Sequence, residues 1–337
     1  MRRARMADLA AAAGVSLATV DRALNGRERL RPETLAHIVA VARQIGHPAA
    51  ARFEVGSGVR RRFGVVLHKR EQEFYKAFAD ELRRTAAAER RVDVELVLEF
   101  ASSQAPSEMA GLMRKMAGRC DVLAATAVNH PEVTAAVADL RDKGLAVHAL
   151  LSDFAPGLRA GYLGLDNLKV GRVAGWMMDR SIADPGSLAV FVGGNRWHGH
   201  ELRDQGFRAY LRDHAPRLTV LETQINLETR QLTYEAVRGL LVNRPDLRGI
   251  YVAGGGMEGA IAALRDMGGK LPLVVSALTP ESRRGLAGGQ VAMVIDTPLE
   301  KLCRALMTRM VASQPGTTIL AGKPEFLPPD LHIRESL

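Results

Sequence analysis

The sequence predicts a short all-α unit at the N-terminus, followed by a large α/β region of parallel sheets arranged in two lobes. Three observations predict it. Residues 6–26 read as a helix, a glycine turn and a second, capped helix. From Phe63 onward, near-continuous apolar runs of strand length alternate with amphipathic helical stretches, the pattern of parallel sheets covered on both faces. The charge is lopsided. Of a formal net charge of +9, residues 1–62 carry +7, from 12 arginines and five acidic residues. A basic front end of this kind is the electrostatic footprint of phosphate binding.

In Met6 to Ala13 the apolar face is Met6, Leu9, Ala10 and Ala13. Gly14 suits a tight turn because it takes φ > 0 without steric cost. Ser16 stands where an N-cap belongs, and the run after it buries Val20 and Leu24 while leaving Leu17, Ala18, Asp21 and Arg22 on the other face. Asn25-Gly26 suits a left-handed C-cap. Spacing alone fits either a helix-turn-helix or an αα-hairpin within a core. A third helix runs from Pro32 to Ile45, with Leu35, Ile38, Val39, Ala42 and Ile45 as its buried stripe. Gly46 stops it, and His47 reads as a packed or solvent-facing cap residue.

The linked segments DLAAAAGVSLATVDRALNG, the basic loop Arg27-Glu28-Arg29-Leu30 and RPETLAHIVAVARQIGH together resemble the N-terminal domain of the lactose/galactose-repressor (LacI) family. The resemblance implies a helix-turn-helix whose second helix lies in the major groove. It places Leu17, Ala18 and Arg22 at base edges and Ser16 and Thr19 at phosphates, with Asn25 and Arg29 also among the DNA-binding residues. The chemistry fits. An arginine can grip guanine O6 and N7, and small apolar groups can sit on a thymine methyl. Asp21 stands where most of the family has Ser.

The composition, 47% hydrophobic and 25% charged, is that of a folded globular chain. Cys120 and Cys303 lack metal-ligand spacing, and buried thiols in a reducing, cytoplasmic location are expected. MRRARMADLA lacks the apolar core of a secretory signal, and no run approaches the ~20 apolar residues that span a bilayer. Residues 48–62 read as a hinge or linker between a domain at 1–47 and one at 63–337. The family resemblance implies a hinge helix here that pushes a leucine into the minor groove. This segment has no leucine; Phe53 and Val55 are its apolar candidates, and Arg60-Arg61-Arg62 follows.

Strands are expected at Phe63–Leu67, Val92–Leu98, Val122–Ala127, Ala146–Leu151, Leu188–Val192, Val220–Gln224, Gly249–Ala253, Leu273–Ala277 and Val291–Ile295. Helices are expected at Phe74–Ala88, Ser107–Met116, Glu132–Lys143, Asn167–Arg180, Arg203–His214, Thr229–Val242 and Glu258–Met267, with Asp166 as an N-cap. Nine βα units exceed one ordinary sheet, so two lobes are expected, crossing near 160–187. GYLGLDNLKVGRVAGWMM, FVGGNRWHGHELRDQGFRAYL and VIDTPLEKL resemble the two-lobed periplasmic-binding-protein-like effector domain of the same family, in its sugar-binding branch.

Ligands of open α/β sheets bind beyond the carboxyl ends of strands. The residues there include His68, Lys69, Phe74, Tyr75, Asn129, His130, Asp153, Asn195, Trp197, His198, His200, Arg203 and Asp296. Carboxylate, amide and guanidinium groups beside aromatic faces suit a polyol, whose hydroxyls both donate and accept. The resemblance favours Arg203 and Asp296, with Phe74, Tyr75 and Trp197 as stacking partners and Asn129 and Asp153 beside them. Gly254 stands where relatives carry a ligand-binding Asn, and Ser276-Ala277-Leu278 replaces a stretch that is acidic in the lactose repressor. His198 and His200 have no third ligand in register, so they line the cleft rather than hold a metal. Gly254 to Gly259 fits G-x-G-x-x-G, but no acidic residue closes the next strand, so it reads as a tight turn and not a dinucleotide site.

The expected function is an effector-responsive transcriptional regulator. A homodimer would bind a pseudo-palindromic DNA operator, with a small carbohydrate in the cleft and no enzymatic activity, cofactor, metal or membrane partner. A transport receptor and an enzyme on the same scaffold are the competing readings. The missing signal and the basic front end speak against the first. The lack of a catalytic triad, a phosphate loop with lysine or a metal motif speaks against the second.

Overall fold

The computed structural model describes residues 5–25, 30–47, 59–194, 196–313 and 320–337. The N-terminal unit holds α1 (Met6–Ala13), α2 (Leu17–Asn25) and α3 (Pro32–Gln44). Gly14 ends α1 at φ +63°, and the next N–H, that of Val15, returns to Ala10 O at 3.1 Å. A side chain would be strained in that conformation. Ser16 caps α2, its Oγ accepting from Thr19 N–H at 3.1 Å. Leu9, Ala10 and Ala13 of α1, Val20 of α2 and Ile38, Val41 and Ala42 of α3 form one core. That core is the face that three- and four-residue spacing marks. Gly46 turns the chain at φ +60°, and His47 is buried behind it. The side chains of Leu24 and Asn25, the Gly26 cap, Arg27, Arg29 and the expected hinge with Phe53 and Val55 lie outside the described residues.

The α/β region runs β1 (Arg60–His68), α4 (Glu73–Ala88), β2 (Asp93–Ala101), α5 (Pro106–Lys115), β3 (Val122–Ala125), α6 (Pro131–Asp142), β4 (Val147–Leu150), β5 (Gly161–Leu165), α7 (Asn167–Ser181) and β6 (Gly186–Val192). It continues α8 (His198–His214), β7 (Leu218–Val220), β8 (Gln224–Ile225), α9 (Arg230–Asn243), β9 (Leu247–Val252), α10 (Met257–Asp266), β10 (Leu273–Ser276), α11 (Pro280–Ala287), β11 (Met293–Asp296), α12 (Leu299–Ala312), β12 (Pro324–Leu327) and β13 (Asp330–His332).

Two sheets result, ordered β12-β5-β4-β3-β1-β2 and β13-β11-β10-β9-β6-β7, with β8 also on β6. The β1–β3, β3–β4, β4–β5, β5–β12, β6–β7, β6–β8, β6–β9, β9–β10 and β10–β11 ladders are parallel (Val65 opposite Ala124, Val190 opposite Tyr251), and β13–β11 is antiparallel. Strand alternation splits the second lobe into two cores. Leu188, Val190 and Val192 face α7 and α8, while Ala189 and Phe191 face α9, α10 and α11. The chain leaves the first sheet after β5. It returns for β12 and crosses again to β13.

Several elements differ from expectation. β5, β12 and β13 are strands that the sequence pattern does not single out, because they are short and rich in glycine, proline or polar residues. The expected strand Val220–Gln224 is two short ones, since Arg208 takes the carbonyls of Val220 and Leu221 and the hydroxyl of Thr223. α8 starts five residues earlier than expected, at His198, because the Trp197 carbonyl receives the His200 and Glu201 N–H groups. The arginine triplet expected in the linker opens β1 instead. Arg62 there holds Asp121 through its main-chain N–H at 2.7 Å and its guanidinium at 3.1 Å.

Candidate ligand cavity and DNA-facing helix

On α2, Leu17 is 51% exposed, Ala18 is exposed and Thr19 and Arg22 are half-buried. The Ser16 and Thr19 hydroxyls share a hydrogen bond of 2.8 Å, and Arg22 Nε donates to Ala18 O at 3.2 Å. The first two turns of α2 therefore carry an exposed leucine, a small exposed residue and, one turn on from Ala18, an arginine. Asn25 closes α2, and Arg29 is outside the described residues.

Where the strands of both lobes end, a cavity of about 340 Å³ opens. β1 leads into Gln72, Phe74 and Tyr75; β3 into Thr126; β4 into Leu151 and Ser152; and β5 into Asn167. From the second lobe come Trp197, Gly199, His200, Arg203, Glu228, Gly254 to Gly256, Glu258, Ser276 and Thr297. Carboxyl ends of parallel strands and the helix N-termini that follow them thus meet in one place.

Arg203 is the best-anchored polar group. Its Nε donates to Asn167 Oδ1 at 2.8 Å, and Nη1 donates to Ala253 O at 2.6 Å and Ser276 Oγ at 3.0 Å. Asn167 is held in turn, its Nδ2 donating to Leu151 O and Tyr162 Oη, each at 3.2 Å. Glycines set this geometry. A β-carbon on Gly171 of α7 would lie 2.0 Å from Arg203 O, and one on Gly206 of α8 would lie 2.1 Å from Leu168 O. Only bare backbone lets the two helices close to that distance.

Glu228 is the buried carboxylate of the cavity. Gly255 N–H donates to its Oε1 at 3.3 Å, and Lys69 Nζ lies 3.8 Å from Oε2. Burial pushes its pKa up, against the pull of Lys69; burial likewise lowers that of Lys69, against Glu228. Lys69 Nζ donates to Leu227 O at 2.5 Å and Gln72 Nε2 to Glu228 O at 2.9 Å, so the first lobe grips the second. His200 Nδ1 accepts from Gly193 N–H at 3.2 Å. Burial, then Arg203 and Lys69, pull the His200 pKa down to about 3, which keeps its ring neutral. His68 is buried against Tyr75 and Trp197, with ring centroids 5.9 and 5.5 Å away, and burial lowers its pKa to about 4. Among the described residues Glu228 Oε2, Trp197 Nε1 and Thr126 Oγ1 are buried with no hydrogen-bond partner.

Of the seven expected effector residues, Phe74, Tyr75, Trp197 and Arg203 line the cavity. Three do not. Asn129 is exposed and meets the second lobe through its main chain, its N–H donating to Arg196 O at 3.0 Å. Asp153 is turned away by Arg159, which takes both of its carboxylate oxygens. Asp296 receives Leu278 N–H at 3.0 Å, and its neighbour Thr297 reaches the cavity instead. His198 lies beside Glu201 at 3.6 Å, His130 caps α6, and Asn195 is outside the described residues. Asp166 caps α7, accepting from Lys169 N–H at 3.2 Å. Thr126, Ser152, Asn167, Glu228, Glu258 and Ser276 escape sequence reading. Glu228 carries the clearest signal, since it sits in a short loop directly after a strand end.

Among the described residues no helix is long and apolar enough to cross a membrane, and no group of three His, Cys, Asp or Glu side chains could hold a metal ion. Residues 63–314 match the family described as periplasmic binding protein domain, and residues 5–48 match bacterial regulatory proteins of the lacI family. Solved structures with the same fold include an ABC transporter solute binding protein from Burkholderia graminis in complex with D-arabinose (TM-score 0.75, 18% identity, 83% of this chain and 97% of that one). Another, from Agrobacterium vitis, is bound with alpha-D-tagatopyranose (0.73, 17%, 82% and 95%). A third, from Bacillus halodurans, has bound myo-inositol (0.73, 16%, 83% and 96%). No curated protein matches the chain. A lacI-type helical domain thus precedes a two-lobed α/β domain, and the chain belongs to the periplasmic binding protein domain family over residues 63–314, in the domain architecture of a LacI-family regulator.

Proposed function

We propose that this chain is a sequence-specific transcriptional repressor whose operator affinity is set by a small carbohydrate or carbohydrate derivative bound between the lobes. Its domains are 1–47 for DNA and 63–337 for the effector, joined through residues 48–62, the last three of which already belong to β1. The observation that carries the reading is the pairing, in one chain, of an α2 that exposes Leu17 and Ala18 with a cavity walled by both lobes. Ser16, Leu17, Ala18, Thr19, Arg22, Asn25 and Arg29 contact DNA. A homodimer sets two such helices on a pseudo-palindrome about one helical turn apart. Phe74, Tyr75, Trp197 and Arg203 contact the effector. Structures of this fold carrying D-arabinose, tagatopyranose and myo-inositol support a polyhydroxylated ligand. Occupancy shifts the lobes and with them the population of the DNA-competent dimer.

The test is binding of the full chain to operator and to scrambled duplex, by fluorescence anisotropy at moderate salt. A preference for operator that falls steeply with salt is expected. Equal binding to both duplexes sinks the reading.

A further inference from the structure

Trp197 caps α8 in the second lobe, yet its ring packs in the first. It is 5% exposed and shares a buried cluster with Val128, Phe154, Ala155 and Tyr162. Among the described residues, every other buried member of that cluster lies in the first lobe. His68 of the first lobe stands 5.5 Å away, ring centroid to centroid. The chain on either side of the indole is tied across the cleft as well. Asn129 N–H donates to Arg196 O at 3.0 Å, and Gly199 N–H donates to Ser152 Oγ at 3.1 Å. One short segment, 196–199, thus engages the first lobe through a carbonyl, an indole and an amide. An aromatic side chain of this size buries on the order of 150–250 Å², and drawing Trp197 out of the first lobe returns that apolar surface to water.

The same side chain lines the cavity. So little of it is accessible that neither face is open for a sugar ring to stack on, contrary to the stacking role that the family resemblance favours. What it keeps for a ligand is Nε1, a buried donor with no hydrogen-bond partner among the described residues. An indole N–H only donates, and a buried donor left unpaired is costly. A hydroxyl or ring oxygen of a carbohydrate supplies the acceptor. We infer that Trp197 is a positioning residue that couples effector binding to lobe closure: its ring seats the second lobe in the first, and an acceptor oxygen of the effector completes its N–H in that seat. The inference rests on the effector reading above and gives one of its residues a second task.

The test uses the full chain. In Trp197→Ala, amide hydrogen exchange at Asn129 and Gly199 is expected to quicken about tenfold or more. Leu123, which donates to Ala146 O within the first lobe, and Ala253, which donates to Phe191 O within the second, should keep the parent's protection. Asn129 and Gly199 protected as in the parent, or all four amides loosened in step, overturns the inference. The melting temperature shows whether the variant folds. If it does not, Trp176→Phe decides, because Trp197 is then the sole tryptophan. Its fluorescence should resist acrylamide, and quenching as strong as that of free indole overturns the inference. The effector arm uses D-arabinose, D-tagatose, myo-inositol and D-fucose, screened by thermal shift. A sugar that binds should slow exchange at Asn129 and Gly199, and should bind about tenfold more weakly to Trp197→Phe, which keeps a ring but loses the N–H. A sugar that binds both chains equally, or leaves those two amides unchanged, overturns the coupling and leaves the effector reading standing. Silence from all four overturns the carbohydrate reading and the coupling with it, and the exchange arm still decides whether Trp197 seats the lobes.

Discussion

Lys69 Nζ donates to the main-chain carbonyl of Leu227 at 2.5 Å, tying the loop after the first strand of one lobe to the loop after β8 of the other. Both ends of this contact are bent out of ordinary backbone. Lys69 has φ +39°, Leu227 +49° and Glu228 +55°. Such left-handed conformations cost non-glycine residues about 1 kcal/mol each, and here side-chain bonds from Lys69 and Gln72 hold them.

Removing that grip should loosen the closed arrangement. A hydrogen bond from a charged donor contributes about 1.5–3 kcal/mol. Lys69→Met is therefore expected to speed hydrogen exchange at the Glu228 amide, which donates to Asn226 Oδ1, by about tenfold or more. Unchanged protection of that amide would show that the two lobes are held by other contacts.

Acid should weaken the fold through its buried histidines. Burial holds His200 down to about 3 and His68 to about 4, below the ordinary 6.5. Folded rings stay neutral while unfolded ones take protons below pH 6.5, so stability present above that pH is lost as pH falls toward 3–4. His200→Gln can still accept from Gly193 N–H but does not titrate. Calorimetry across pH 4–7 should show a shallower fall in melting temperature for this variant than for the parent. Parallel slopes would remove His200 from the acid response.

A methyl group between α7 and α8 should be costly. In Gly171→Ala the new carbon meets Arg203 O at 2.0 Å, a backbone atom that cannot rotate away. The expected loss is about 3 kcal/mol, read as a lower urea midpoint at unchanged slope. Because Arg203 sits at the contact, effector binding should weaken as well. A midpoint within error of the parent would mean that the helices separate without cost.

Arg22 should govern base choice rather than general attraction to DNA. A side chain gripping a base edge contributes about 1–3 kcal/mol of discrimination. Arg22→Ala is expected to lower operator affinity by that amount while leaving scrambled duplex nearly unaffected, measured by anisotropy at one fixed salt concentration. Equal losses on both duplexes would recast Arg22 as a phosphate contact.

Local pattern was enough for much of the architecture. The α1, α2 and α3 faces, the Ser16 and Asp166 caps, the Gly14 turn and the central strands are written in short-range spacing and in hydroxyl, carboxylate and glycine chemistry. Short edge strands such as β13 (Asp330–His332) carry no such pattern, because their stability comes from the partner β11 and not from their own residues. The cavity was partly legible. Phe74, Tyr75, Trp197 and Arg203 follow from strand ends and family motifs. Asp153 and Asp296 also stand at strand ends, but Arg159 and the Leu278 amide claim them and neither lines the cavity, which no strand-end pattern reveals.

By itself, then, the order of residues determined a basic helical unit, two lobes of parallel strands and the short loops from which a ligand site could be drawn. Those properties depend on neighbours a few positions apart. Only the tertiary structure decided that Glu228 enters the cavity, that Lys69 reaches it across 159 positions of chain and that Arg203 is anchored on Asn167, Ala253 and Ser276 within the field of that carboxylate. Charge compensation is settled by distances in space, which no spacing along the chain reveals.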